Sequence, residues 1–255
     1  MELYVMNHIY SIFALIATIV FIITFLIVWL KKYSLLSGIK YIMGAIISFI
    51  IGARILHYLF NPLQYNQANY SLFDFELHGF SLYGGIILSL IYSIIYSKLK
   101  KINFWDLSDK ICISFAISFI PMRLGCFFNG CCFGRPFNGL WAIKYGLFSF
   151  SHKIQIRKYN AIFPLSIHPT QIYEIIIVII ALAFGIYMSK KKKQSGILAI
   201  YFSLVFTVGR FINLYFREEL PYSNYHIYMK YIYIIVIISI LFIIYFLKMF
   251  KINKK

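Results

Sequence analysis

Charge is scarce in this chain. Only 13% of its 255 residues are charged and 61% are hydrophobic, with a mean hydropathy of +0.78. Soluble domains run nearer half apolar and a quarter charged, so this balance excludes an ordinary soluble domain, which could not hide so much apolar surface. Cysteine is sparse as well. Cys112, Cys126, Cys131 and Cys132 are too few and too clustered for a disulfide framework. There is no internal repeat and no linker, so residues 1–255 are expected to form a single domain. Glu2 precedes the first apolar run and Lys31 and Lys32 follow it, the reverse of a secretory signal, so a cleavable signal peptide is not expected.

What the chain has in abundance is apolar runs of about 20 residues, which give the class: an all-α, multi-pass membrane helical bundle. Seven transmembrane helices are expected, over about 9–30, 39–60, 81–97, 107–123, 170–188, 196–215 and 227–247. Most of the basic residues follow these runs in clusters: Lys31, Lys32 and Lys40; Lys98, Lys100, Lys101 and Lys110; Lys190 to Lys193; Lys248, Lys251, Lys254 and Lys255. The positive-inside rule makes those loops cytoplasmic, with the N-terminus outside and the C-terminus inside. The net charge of +17 is thereby assigned to topology, and no nucleic acid is expected as a partner. Two outward segments exceed simple turns: an arm at 61–80 and a small folded cap at 124–168. Trp29 and the tyrosines of 222–233 read as interface belts.

Five ionisable residues fall at the outer ends of these spans: Arg54, Arg123, Glu174, Arg210 and Arg217. An intramembrane arginine costs at least about 2.5 kcal/mol, so it faces a partner or a wet cavity. Four guanidinium groups against one carboxylate leave positive charge to spare. Their planar forks suit phosphate, which points to an anionic phospholipid head group rather than simple anchoring of helices. Gly84 and Gly85 open the third span and permit either close helix packing or close approach of a ligand.

Residues 121–136, Pro-Met-Arg-Leu-Gly-Cys-Phe-Phe-Asn-Gly-Cys-Cys-Phe-Gly-Arg-Pro, gather arginine, cysteine, asparagine and glycine at the end of a lipid-facing run. That mixture reads as the lip of an active site. Cys126, Cys131 and Cys132 lack the CxxC spacing of a zinc site, and no histidine lies within the motif, so no metal is expected. The thiols could instead fill tight space, pair Cys126 with a neighbour, or serve as nucleophiles beside Arg123 and Arg135. Of the outward histidines, His78, His152 and His168, the last stands out because it begins a helix that carries Glu174.

The stretch Arg123-Leu-Gly-Cys-Phe-Phe-Asn-Gly-Cys-Cys-Phe-Gly-Arg-Pro136 resembles the RIGNFxNGExxGRP motif of the prolipoprotein diacylglyceryl transferase family. Ile51-Gly-Ala-Arg-Ile-Leu-His-Tyr58 resembles its GGRLGY segment, and Leu82-Tyr-Gly-Gly-Ile86 its FHGGL segment. His168-Pro-Thr-Gln-Ile-Tyr-Glu174 resembles HPSQLYE, and Gly209-Arg-Phe-Ile-Asn-Leu-Tyr-Phe-Arg-Glu218 resembles RFxxExFR. Tyr10 falls where the family has an essential tyrosine. Four positions depart from the family's pattern. Cys126 stands for its asparagine, Cys131 for a glutamate, Tyr83 for a histidine and Leu214 for a second glutamate.

The resemblance implies an enzyme of the bacterial cytoplasmic (inner) membrane that takes phosphatidylglycerol as donor. It would move the diacylglyceryl group to the lipobox cysteine thiol of a preprolipoprotein and release glycerol phosphate, without a cofactor. Arg123, Arg210, Tyr10 and Tyr83 are the implied catalytic residues. Arg54, Gly84, Gly85, Gly125, Asn129, Gly130, Gly134, Arg135, His168, Gln171, Glu174 and Arg217 are expected to bind the phospholipid. Tyrosine titrates near 10 and histidine near 6.5, so Tyr83 is a poor base, and Cys126, Cys131 and His78 are candidates to substitute. A transferase with another acceptor and a non-catalytic phospholipid-binding or transport protein are the alternatives.

Overall fold

A computed structural model describes residues 2–60, 82–219 and 225–252. These form eight helices: α1 (Glu2–Leu30), α2 (Leu35–Phe60), α3 (Leu82–Leu99), α4 (Phe104–Asn129), α5 (Phe150–Tyr159), α6 (Thr170–Lys192), α7 (Ile197–Phe216) and α8 (Tyr225–Ile252). Six of them, at Ile9–Leu30, Leu35–Leu56, Phe104–Asn129, Thr170–Lys192, Ile197–Phe216 and Tyr228–Tyr245, are long and apolar enough to cross a membrane. A bilayer core about 30 Å thick takes about 20 helical residues, and helices satisfy every backbone group without water. The protein is a multi-pass helical membrane protein. The third expected span does form a helix, but its described apolar part, Gly84–Leu99, is shorter than the other six. The expected arm at 61–80, including His78, lies outside the described residues.

The fourth span differs from expectation. The sequence ended it at Arg123, whereas α4 runs on to Asn129 and carries Pro121 inside it. Arginine is a good helix former, so the helix runs on past it, and its guanidinium pairs within the bundle with Glu174. Residues Arg123 to Asn129 are therefore presented by a helix end, not by a loop.

The chain divides into two compact units, residues 25–110 and residues 1–24 with 111–255. In the first, Trp29 is fully buried, which corrects its assignment to an interface belt. A Cβ on Gly38 would lie 2.7 Å from the indole, so the glycine makes room for it. The indole N–H donates to Ser37 Oγ at 3.0 Å, and the ring stacks with Phe25 and Tyr41. Asp106 gathers Lys32, Tyr33 and Lys110. Helices α2 and α3 meet through Gly52 and Gly84, where a Cβ on either would collide with the other's carbonyl oxygen. Small residues allow this close approach of backbones in membranes. Gly52→Val is expected to lower the stability of the detergent-solubilised protein by about 1–3 kcal/mol. Thermal unfolding followed by helical circular dichroism measures it, and an unchanged midpoint would contradict the packing.

In the second unit, α4, α6 and α7 share a core of Ala116, Phe119, Val178, Ala181, Leu198 and Phe202. Gly185 lets α6 approach α7, since a Cβ there would stand 3.0 Å from Leu198 O. The short α6–α7 connection turns through Lys193 and Gly196, both in left-handed backbone conformations. Between α4 and α6, residues 130–169 fold over a small core of Phe133, Ile154 and Ile167. Isolated bridges tie Gly134 to Arg217 and both Pro136 and Ile143 to Ile167. Ser149 caps α5 by accepting the His152 N–H at 3.2 Å. Of the expected 124–168 cap, residues 124–129 belong to α4, and the rest lies in this segment.

Candidate active site

Three charged side chains from three helices meet inside the second unit. Arg123 Nε of α4 pairs with Glu174 Oε2 of α6, and Arg210 Nη2 of α7 reaches Glu174 Oε1 at 3.3 Å. The carboxylate is 4% exposed and Arg123 7%, so this pair is buried, and the half-buried Arg210 joins it. Such groups are retained in low dielectric only when paired, because an uncompensated buried charge costs several kcal/mol. Phe119 and Phe206 lie beneath the two guanidinium groups, at 4.7 and 5.8 Å from ring centre to guanidinium carbon. Two cations on one carboxylate leave a net positive charge.

The segment after α4 is folded back over this triad by a defined set of bonds. Gly130 adopts φ +68° and Cys132 φ +57°, a left-handed backbone that glycine takes freely and cysteine takes at a cost. Thr170 Oγ1 donates to Cys132 O at 2.7 Å and Gln171 Nε2 to Cys131 O at 2.6 Å. Tyr145 Oη donates to Phe127 O at 2.8 Å, and burial raises its phenol above the ordinary range. The first turn of α6 thus grips the cysteine segment. Arg123 Nη1 donates to Cys126 Sγ at 3.7 Å, and the sulfur atoms of Cys126, Cys131 and Cys132 all lie within 4.8 Å of one another. Hydrogen bonds from the other two thiols hold the Cys132 thiol well below its ordinary value, with Arg217 and Arg123 reinforcing them. Linear spacing gave no sign of this convergence. Tyr10 of α1 lies within electrostatic reach of Arg123 and all three cysteines.

His168 sits at the seam between the folded segment and α6. Its carbonyl accepts the Gly134 N–H at 3.1 Å, and Gly134 is obligatory because a Cβ would come within 2.5 Å of that oxygen. The imidazole stacks on Phe137 with centroids 3.9 Å apart. Trp141 Nε1 donates to Tyr173 Oη at 2.8 Å, and Tyr173 Oη lies 3.0 Å from His168 Nδ1. Burial lowers the His168 pKa below its ordinary 6.5. The unfolded chain therefore binds this proton first. The contribution to stability is complete above about pH 6.5 and is lost as pH falls through the lower folded value. Thermal melts between pH 7.5 and 4.5 are expected to show a shallower acid loss in His168→Asn than in the wild type. Identical slopes would contradict it.

The remaining predicted residues separate into groups. Gly125 packs against Phe13 of α1, where a Cβ would meet Phe13 Cβ at 2.5 Å. Arg135 is exposed and pairs with Glu219 at 3.1 Å while donating to Arg217 O at 3.3 Å. Asn129 and Gln171 each keep a buried side-chain oxygen with no donor among the described residues, as does Asn213. Arg54, Gly84 and Gly85 belong to the other unit; Arg54 is 6% exposed there, and Gly85 meets the Phe49 ring. Tyr83 lies at the start of α3, its side chain outside the described residues, as is all of His78.

Sequence reasoning missed Glu218. It is 5% exposed, takes Lys158 Nζ at 2.6 Å and Tyr159 Oη at 2.9 Å, and so ties α5 to the exit of α7. Burial and this carboxylate push the Tyr159 phenol up to about 12. The available signal was a carboxylate in an acid-poor chain opposite the basic end of α5. Tyr145 and Thr170, which hold the cysteine segment, are ordinary in sequence and gave no signal.

A family model described as prolipoprotein diacylglyceryl transferase matches residues 2–251. Among curated relatives, a protein of Clostridium botulinum (strain Loch Maree / Type A3) is 31% identical over 164 residues, covering 64% of this chain and 62% of the relative. One of Clostridioides difficile (strain 630) is 29% identical over 166 residues, with coverages of 64% and 58%. One of Campylobacter lari (strain RM2100) is 28% identical over 192 residues, with coverages of 74% and 65%. All three carry the name phosphatidylglycerol--prolipoprotein diacylglyceryl transferase. The matched region spans less than two thirds of each relative's length.

Proposed function

Because the chain belongs to the prolipoprotein diacylglyceryl transferase family, we propose that it uses phosphatidylglycerol to place a diacylglyceryl group on the lipobox cysteine of preprolipoproteins. The carrying observation is the Arg123–Glu174–Arg210 triad near the ends of apolar helices. The reaction forms a carbon–sulfur bond and breaks a carbon–oxygen bond, with the electron pair leaving on glycerol phosphate. Preorganised cations that meet the departing charge stabilise the transition state without reorganising. Arg123 and Arg210 take that role, and Glu174 fixes both forks in place. The donorless oxygens of Asn129 and Gln171 suit the hydroxyl groups of a glycerol head group, since buried acceptors ordinarily find a donor. The electrostatic reach between Tyr10 and both Arg123 and the thiols supports a role for its phenol as a hydrogen-bonding group at the reacting centre.

The wider reading comprises seven spans in the bacterial cytoplasmic membrane, with the N-terminus and the folded 130–169 segment outside. Lysine clusters after the apolar runs support it, and cysteine-accessibility labelling from each side of intact cells tests it. Gly125, Gly130, Gly134, Arg135, His168 and Arg217 complete the proposed phospholipid contacts of this unit, and Arg54, Gly84 and Gly85 are proposed as lipid contacts of the other unit by itself. The activity is tested with purified full-length protein in phosphatidylglycerol nanodiscs and a lipobox peptide, measuring glycerol phosphate and lipidated peptide together. Release of both is expected. Binding of phosphatidylglycerol without release would sink the transferase and leave the lipid-binding alternative. Release without peptide modification would point to another acceptor.

A further inference from the structure

The three cysteine sulfurs of the 126–132 segment lie within 4.8 Å of one another, one buried and two half-buried. Disulfide frameworks do not need three thiols at one point, and packing does not need them to converge. A soft cation does. Zinc bonds thiolate sulfur at about 2.3 Å, so sulfurs sharing one tetrahedral ion stand about 3.8 Å apart. The thiols therefore have to close by an ångström or less. Their backbone is already fixed for that purpose: Gln171 and Thr170 hold the Cys131 and Cys132 carbonyls, and two left-handed residues, Gly130 and Cys132, turn the chain so that an x4 spacing converges. Around the sulfurs, Arg123 donates to Cys126 Sγ and Arg217 lies within electrostatic reach of Cys132. Three thiolates on a divalent ion carry a net charge of −1, which complements those cations. Donors to ligating sulfur are the usual supporting contacts of metal sites. Among the described residues these are also the only His, Cys, Asp and Glu side chains grouped closely enough to hold an ion.

We propose that Cys126, Cys131 and Cys132 form a three-thiolate site for one soft divalent cation of the zinc class, whose fourth position takes the thiol of the acceptor. This second half rests on the transferase reading above. Three protein ligands with an open fourth position are the pattern of reactive rather than structural zinc sites, and a thiol that coordinates is deprotonated outright. The balance is simple. The acceptor thiol yields its proton to solvent and binds as thiolate. Its sulfur then bonds the glyceryl carbon as the carbon–oxygen bond breaks, and the electron pair leaves on the phosphate oxygen toward Arg123 and Arg210. The ion keeps its oxidation state throughout. The site thus supplies the deprotonation for which the triad, two guanidinium groups and a neutralised carboxylate, has no base.

The test uses the full-length protein purified in detergent without chelator. Zinc content by mass spectrometry is expected near one per chain, and added Cd2+ is expected to give a sulfur-to-cadmium charge-transfer band saturating at one equivalent. Cys126→Ser, Cys131→Ser and Cys132→Ser should each weaken Cd2+ binding more than tenfold, with helical circular dichroism showing that each variant is folded. A lipobox peptide should then raise the band by about one further thiolate's worth, and its Cys→Ser version should not. No cadmium binding above the triple serine variant overturns the site, as does a Cys126 disulfide in the freshly purified protein. A band indifferent to the peptide thiol overturns the acceptor position. Glycerol phosphate release measured on the same preparation separates the two readings. Release without metal defeats only this inference, whereas metal bound without release defeats the transferase reading and leaves the cation site standing.

Discussion

Arg123→Ala is expected to lower the rate of glycerol phosphate release by about 10²–10³-fold, the usual cost of removing one preorganised donor from a developing negative charge. The loss should fall mainly on kcat, because the guanidinium contributes most when charge accumulates on the leaving group. Arg123→Lys is the sharper variant. The native side chain uses Nε for Glu174 and Nη1 for Cys126 Sγ at the same time, a forked arrangement that an ammonium on a flexible stem cannot reproduce. The lysine variant is expected to keep the positive charge and the fold while recovering little of the rate. Release in phosphatidylglycerol nanodiscs, with helical circular dichroism on the same samples, measures both. A folded Arg123→Ala protein that releases glycerol phosphate at the wild-type rate would remove Arg123 from the chemistry.

Glu174→Gln is expected to destabilise the protein by about 3–5 kcal/mol, since it leaves Arg123 and Arg210 facing one another without a counter-ion. The amide keeps the shape of the carboxylate, so the effect isolates charge. Glu174 is 4% exposed and Arg123 7%, so the Arg123–Glu174 pair is shielded from solvent, while Arg210 is half-buried. A double-mutant cycle gives the diagnostic result. Arg210→Gln in the Glu174→Gln background should restore part of the loss, because it removes the repulsion that the first substitution created. Unfolding in mixed micelles of mild and denaturing detergent provides the measurement. A cost for Glu174→Gln within about 0.5 kcal/mol, the range of surface substitutions, would show that the triad is not the electrostatic anchor of α4, α6 and α7.

The three residues at the heart of these experiments were visible in the sequence for a physical reason. Ionisable groups in apolar helices are costly, so Arg123, Glu174 and Arg210 stand out wherever spans can be drawn. Spans of alternating direction put all three at one depth. Sequence could not say that Glu174 bridges both arginines, because pairing depends on which faces of α4, α6 and α7 turn toward each other. It also ended α4 six residues early at Arg123. A charge reads as a helix end when its partner is unknown.

Trp29 shows the opposite error. Composition alone assigns a tryptophan at the end of an apolar run to the membrane interface, yet Gly38 opens a slot that buries it completely. Glu218 behaves likewise: an acid after a helix end looks exposed until Lys158 and Tyr159 arrive from α5. Both cases turn on a neighbour remote in sequence.

Hydropathy and the position of a few charges were enough to determine the class and most of the spans, because transfer from water to lipid is a property of each residue and adds along the chain. The convergence of Cys126, Cys131 and Cys132 was decided only by tertiary structure. Their spacing excludes the familiar metal patterns, and it took two left-handed turns together with hydrogen bonds from Thr170 and Gln171 to bring the sulfurs together. Chemistry between side chains depends on distance in space, and distance in space is set by partners that the local sequence does not contain.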